Sequence, residues 1–328
     1  MLVNTERCLY LSAKPLIKQI IYSARSKNFK YQRTSMYECF LEIAFEAELN
    51  TKEDPECLEL AIEHCNENPA TRSAAIRELR ELIYDRVECE PYRTDDEFLL
   101  RFLRARDFIV RRAHKLLVRY CDFRAQYPHL YEGVDLWSLT KVQDAYEGTM
   151  LDRPDIGRLS ILRFGAWDPS EFPVDDLVRA GMAMYEIGIR QPKLQVLGGT
   201  VIVDLEGITL KHVSTLTPTI AYQIVCLMGI AIPARLRSCH IINYNWLLNT
   251  FFYLFKRFIP QETWGRIYFH GHDLKSLHRH IDPECLPKRY GGSCRNHVSL
   301  GHWFQKIKKY RDAQFDKEMK AIGYLVKE

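Results

Sequence analysis

Between Pro233 and Gly271 an apolar segment leads into a stretch with almost no polar face and out into a second apolar segment. The middle, Trp246 to Phe258, reads as a helix that is apolar on nearly every side as far as Lys256. A helix greasy all round is buried in a protein core or in lipid. Crossing a bilayer takes about 20 residues, so this one is too short to span. We read strand, helix, strand, with the helix closing over an apolar pocket. Arg235 and Arg237 stand before it, and Arg266 after it.

With 328 residues, 47% apolar and 27% charged, most of the chain should be globular. A net charge of +4 is too small to argue for nucleic acid. Ala231–Tyr290 holds nine Lys and Arg against four Asp and Glu, a local +5 that suits phosphates or an anionic membrane surface, or simply a solvated basic face. The ten cysteines form no C-x-x-C pair, so we expect reduced thiols, no zinc or disulfide framework and a cytoplasmic protein. Val213–Ala234 and Ser238–Phe255 are uncharged, but the first carries two prolines and Gln223 and the second His240 and three asparagines, so neither reads as a membrane span.

Residues 1–35 carry seven Lys and Arg against one acid, Glu6. They fit a disordered basic extension or an arginine-rich targeting segment, and we place the extension at 1–50. Helical signals fill 51–135. Thr71 can cap a helix with Ile76, Leu79, Ile83 and Val87 on one face, and Thr94 with three acids behind it marks another start. Phe98, Leu99, Phe102 and Leu103 form the buried stripe there, with Arg101, Arg104 and Arg106 away from it. A third helix spans about 110–126. From 136 to 293, short apolar strands near 159–164, 200–205, 239–243 and 266–270 alternate with helices. That pattern predicts an α/β fold with a mixed, mainly parallel sheet and crossover helices. A Lys-rich helix over about 300–322 ends the chain within a final segment, 294–328.

Enzyme motifs are missing: no G-x-S-x-G, P-loop or G-x-G-x-x-G occurs. His270, His272, His278 and His280 have metal-like character without acids arranged beside them. We expect no catalysis, no metal and no cofactor.

The segments RTDDEFLLRFLRARDF (93–108), VDLEG (203–207), IPARLRSCHIIN (232–243), GRIYFHG with DL and LH (265–278) and LPKRYGG (286–292) resemble the CRAL-TRIO, or Sec14-like, lipid-binding proteins. The resemblance is nearest to the subgroup of alpha-tocopherol transfer protein, retinaldehyde-binding protein and the clavesins. It covers about Pro55 to Gly292. It implies an all-α N-terminal domain before a sheet whose far face forms a lipid pocket under a mobile helix. It also implies carriage of a tocopherol- or retinoid-like ligand, or a phospholipid, between membranes, by a monomer that sits on membranes peripherally. The alternative is a trafficking adaptor that reads phosphoinositides and moves no ligand. In the subgroup's pattern the phosphoinositide-contacting positions fall on Arg235, Arg237 and Arg266, a lysine position holds Glu262, and a further arginine corresponds to Arg106, either as a headgroup contact or as a structural tie to the sheet domain. Helical stripes, together with the resemblance, place Met182, Tyr185, Ile189, Ile202, Ile224, Leu227, Met228 and Ile232 in the pocket, and Trp246, Phe251 and Phe255 on its cover.

Overall fold

The computed structural model describes residues 44–45, 48–142 and 144–327, and the basic segment 1–35 lies outside them. From residue 55 the chain forms α1 (Pro55–Cys65), α2 (Arg72–Arg86), α3 (Asp96–Ala105) and α4 (Val110–Gln126). Asp54 caps α1 by accepting from the Cys57 N–H at 2.7 Å, with Pro55 in the first turn, where its missing N–H costs nothing. Asp95, rather than Thr94, caps α3 through the Phe98 N–H.

The sheet follows. Its strands are β1 (Tyr146–Arg153), β2 (Gly157–Arg163), β3 (Gly199–Asp204), β4 (Leu236–Ile242), β5 (Ile267–Gly271) and β6 (His297–Ser299), ordered β5-β4-β3-β2-β1-β6. Strands β2 to β5 are parallel, and β1 runs antiparallel to both β2 and β6. Helices α5 (Val174–Gly188) and α6 (Pro192–Leu197) link β2 to β3, and α7 (Leu210–Thr215) and α8 (Pro218–Val225) link β3 to β4. Thr217 caps α8 with Pro218 behind it, as the sequence predicts. The helix then widens into one π turn, Cys226–Ile230, which Gly229 ends at φ +90°. Helices α9 (Leu248–Lys256) and α10 (Gln261–Trp264) form the β4–β5 crossover, and α11 (Leu274–His278) follows β5. The mainly parallel α/β sheet behind an all-α domain is therefore the observed architecture.

Four expectations change. Strands β1 and β6 are additions, because glycine and charge in β1 hide its alternation. The C-terminal helix is two, α12 (Leu300–Tyr310) and α13 (Ala313–Ala321), since Asp312 turns out to cap a new start by accepting from Phe315. Packing begins before residue 51: Phe45 is buried, and Glu48 accepts from Arg158 and from the Trp303 indole, both at 2.9 Å. Arg101 and Arg104 are buried rather than turned to solvent.

Candidate functional site

Alternation along the strands decides which side chains face α5, α8 and α9. Ser160, Leu162, Val201, Val203, Cys239, Ile241 and Ile267 lie in register on that face of the sheet. Between them and the helices is a cavity of two lobes. The lobe under α9, about 990 Å³ with the open solvent at its mouth included, is walled by residues including Phe164, Ile224, Leu227, Phe252, Phe255 and Trp264. The second lobe holds about 920 Å³ and reaches past Ile189 and Leu194 to Arg158, Arg235 and Trp303. Tyr146, Ser160, Met184, Tyr185, Val201 and Met228 line both, so the lobes share a waist.

Helix α9 presents Phe252 and Phe255 inward, three apart. Phe252 meets Trp264 and Phe269 edge-on at 5.5 and 5.4 Å. Its other face carries Tyr253, 78% exposed, beside Lys256 and Arg257. So the cover is apolar toward the cavity and mixed outside, where an exposed tyrosine stands among Asn249 and two cations.

Of the residues placed in the pocket from sequence, Tyr185, Ile224, Leu227, Met228 and Phe255 line the lobe under α9, and Ile189 lines the other. Met182 does not. The wall of α5 runs through Gly181, Met184, Tyr185 and Gly188, and Met182 is buried on another side. Ile202 points to the opposite face of β3, into a core with Ile242, Leu277 and Ile281. Ile232 is buried in the chain leading to β4 and reaches neither lobe. Trp246 is in the turn before α9, 71% exposed and outside the cavity, because the helix begins two residues later than its apolar run. The side chain of Phe251 lies outside those described. Sequence reading missed Tyr146, Ser160, Met184, Phe252 and Trp264. The two glycines of α5 were a usable signal: seven apart, they fall on one face and leave room there.

The arginines divide. Arg235 is a structural tie: its Nη1 donates to the Arg104 carbonyl at 2.7 Å and to Asp107 at 2.6 Å, and its Nη2 to the His64 carbonyl at 2.8 Å. Arg237 donates to the Leu197 carbonyl. Burial, then Arg235, lowers the Arg237 pKa. Arg266 is exposed, with one bond to the Leu236 carbonyl at 2.8 Å. Arg106 donates to the Gly229 carbonyl at 2.7 Å. Burial, then Arg119, Arg235 and Arg266, bring its pKa down to about 10, against only Asp107. Like charges thus converge from α4, the α3–α4 turn and the residues just before β4 and β5, an arrangement that an anion relieves. Arg119, on α4 and exposed, is the member that the sequence pattern did not supply. Glu262 is exposed in the first turn of α10.

On the far face of the sheet, His240 and His270 share a ring-to-ring hydrogen bond of 2.9 Å. Ser238 bonds His240 and Ser276 bonds His270, each at 2.9 Å, while Tyr268 stacks on His240 and His280 lies tilted against Tyr268 and edge-on to His270. Among the described residues no group of three or more His, Cys, Asp or Glu is placed to hold a metal. Burial, then His270 and His280, bring His240 down to about 3, and burial also lowers His270. The unfolded chain takes up protons near pH 6.5 and the folded one does not, so stability is lost as pH falls below 6.5. His240 alone should cost about 2 kcal/mol between pH 7 and 5. Urea unfolding across that range should show this slope, flattened in His240→Asn; a pH-independent midpoint would contradict it.

A small helical domain, a mainly parallel sheet and an apolar cavity closed by a crossover helix define a lipid-binding class of protein. Family comparison agrees: residues 155–292 match the CRAL/TRIO domain and residues 67–119 the CRAL/TRIO N-terminal domain. The chain belongs to the CRAL/TRIO family of lipid-binding proteins. Clavesin-2 of Homo sapiens is 34% identical over 257 residues, 77% of this chain and 78% of that protein. Clavesin-1 of Xenopus laevis is 33% identical over 258 residues, 77% of each. A crystal structure of Sfh5 covers 75% of this chain and 99% of its own at 14% identity and a TM-score of 0.44.

Proposed function

We propose that the protein is a non-catalytic carrier: it holds a hydrophobic ligand in the two-lobed cavity and passes it between membranes. The observation that carries this is the apolar space under α9. A lipid filling it removes apolar surface from water at about 25 cal/mol per Å². The ligand enters and leaves when α9 swings out at an anionic membrane, where Trp246 and Tyr253 are already exposed. Membrane and headgroup shift this equilibrium only by binding the open form better than the closed one. The cluster of Arg106, Arg119, Arg235 and Arg266 supplies the charge for phosphoinositide headgroups, with Arg237 a further candidate, and Glu262 opposes it. Among the described residues no helix is long and apolar enough to cross a membrane, which suits peripheral attachment from the cytoplasm.

Native mass spectrometry of the purified chain tests the carrier reading. A co-purified lipid supports it, whereas an empty cavity with tight headgroup binding supports an adaptor instead. Charge near an anionic surface contributes about 1 kcal/mol per residue. The double variant Arg119→Ala, Arg266→Ala should therefore bind phosphoinositide vesicles roughly thirtyfold more weakly at low salt, with the gap closing as salt rises. Glu262→Lys should move the other way. Sedimentation with vesicles reads both, and binding indifferent to salt and charge would count against the surface.

A further inference from the structure

We propose that Cys89 and Cys121 form a redox-modification site: hydrogen peroxide joins them in a reversible disulfide that closes residues 89–121 of the helical domain into a ring. Cys89 lies in the segment between α2 and α3, and Cys121 lies on α4. Both are free, half-buried thiols, and their side chains are hydrogen-bonded to each other. Contacts on either side fix this meeting. His114, Cys121 and Arg124 are seven and three apart on α4, so they share one face. A Glu88 carboxylate oxygen stands 3.7 Å from the His114 Nδ1, and the Arg124 guanidinium lies over the Tyr92 ring at 5.8 Å. The segment is thus held to α4 both before and after Cys89. Its far end is tied back to α2, where Arg80 donates to the Thr94 carbonyl at 2.9 Å and the Tyr84 hydroxyl meets that of Thr94 at 3.2 Å. Two thiols already in contact can bond by side-chain rotation, without moving the backbone far.

The pair is asymmetric. The hydrogen bond with Cys121 lowers the pKa of the Cys89 thiol, against burial, Asp122 and Glu88. The same bond, then burial, raises Cys121. Burial raises every other described cysteine: Cys57, Cys65, Cys226, Cys239, Cys285 and Cys294. The thiolate is the nucleophile, so Cys89 reacts first. Its sulfur attacks one peroxide oxygen and the O–O bond breaks. The other oxygen takes the Cys89 proton and leaves as water, and a sulfenic acid remains. Cys121 then attacks that sulfur, the S–O bond breaks, and the hydroxide leaves with the Cys121 proton as a second water. Two thiols and one peroxide give one disulfide and two waters; two electrons pass from sulfur to oxygen. A dithiol reverses the reaction by exchange.

The ring encloses α3 and most of α4, and with them Arg104, Arg106 and Arg119. A crosslink across about thirty residues restricts mainly the unfolded chain, so oxidation should make the helical domain harder to unfold. Because both thiols are half-exposed, peroxide and reductant alike can reach them, and the bond is a switched state rather than a permanent staple.

The test uses the full chain, reduced, freed of reductant and exposed to graded hydrogen peroxide before N-ethylmaleimide blocks the remaining thiols. Peptide mapping without reduction should show a Cys89–Cys121 crosslink ahead of any other, and dithiothreitol should undo it. The urea midpoint should rise on oxidation by about 1 M, and the double variant Cys89→Ser, Cys121→Ser should remove the shift. In Cys121→Ser the sulfenic acid should persist on Cys89 and be trapped by dimedone. Cys89→Ser should leave Cys121 about tenfold less labelled. Another pair crosslinking first, such as Cys285 with Cys294, overturns the proposal, as does oxidation to sulfinic acid without a crosslink. Equal dimedone labelling of the two single variants overturns the order of attack. An oxidised midpoint at or below the reduced one overturns the stabilising ring. The wild-type peptide map decides the site even if a variant fails to fold.

Discussion

Leu227→Trp is expected to abolish ligand loading while leaving the urea midpoint of the empty protein near that of the wild type. Leu227 lies in the π turn after α8 and lines the lobe under α9. Its Cδ1 would stand 3.1 Å from a Cβ at Gly181, so α5 approaches it closely and the extra ring must swing into the cavity. Indole there displaces ligand rather than packed protein. Overfilling a close-packed core instead costs typically 1–3 kcal/mol, because neighbours are forced off their rotamers. Ile202→Trp supplies that contrast. Ile202 is fully buried against Leu277 and Ile281 on the other face of the same sheet. One variant should lose lipid and keep stability; the other should lose stability first. Native mass spectrometry gives occupancy, and urea unfolding gives the midpoint. Lipid occupancy unchanged in Leu227→Trp would mean that the lobe is not the ligand site.

That pair also shows what the sequence could and could not convey. The alternation of β3 was plain, but a strand apolar on both faces does not say which face meets a cavity and which meets a core. Ile202 and Val201 are equivalent as letters, and only the packing of α11 behind the sheet separates them. On α5 the stripe was displaced by a fraction of a turn. Glycine carries no hydrophobic weight, so Gly181 and Gly188, which mark the true wall, were passed over in favour of Met182. Trp246 misled for a related reason: apolar character continued past the helix start into an exposed turn. The overall architecture was more legible, because capping residues and the rhythm of strand and helix are local signals. Strands β1 and β6 were not, since β6 is three residues long and gains its identity only by pairing with β1. Arg235 shows the limit of carrying a role by motif. The fork that could grip a phosphate is already taken by backbone carbonyls of the helical domain and by Asp107.

The largest stability effect is expected from Arg104→Ala. Sequence periodicity put Arg104 on the outside of α3, yet its side chain is fully buried. It is tolerable there because every direction is answered: Nε donates to Glu67 at 2.9 Å, Nη1 to the Gln195 side chain at 3.0 Å, and Nη2 to Glu53. Arg72 closes the group by pairing with Glu53 at 2.8 Å and Glu67 at 2.9 Å. Two arginines and two glutamates thus balance, and through Gln195 they fasten α3 to α6 beneath the sheet. Alanine leaves two carboxylates on one guanidinium, with Glu67 still 97% covered. Breaking a buried pair from one side costs about 3–5 kcal/mol. Arg104→Lys should recover little, since an ammonium cannot reproduce the planar fork. Arg104→Met with Glu67→Gln should recover more, because it removes charge on both sides. Acid should weaken the wild type through the same group. Burial alone would raise the Glu53 pKa, but Arg72 and Arg104 outweigh it and hold it low. That stability is present above pH 4.5 and is lost as pH falls through the folded value. Urea unfolding at neutral pH and near pH 4 reads both effects. A loss under about 1 kcal/mol in Arg104→Ala would show that water fills the site and that the two domains are held together elsewhere.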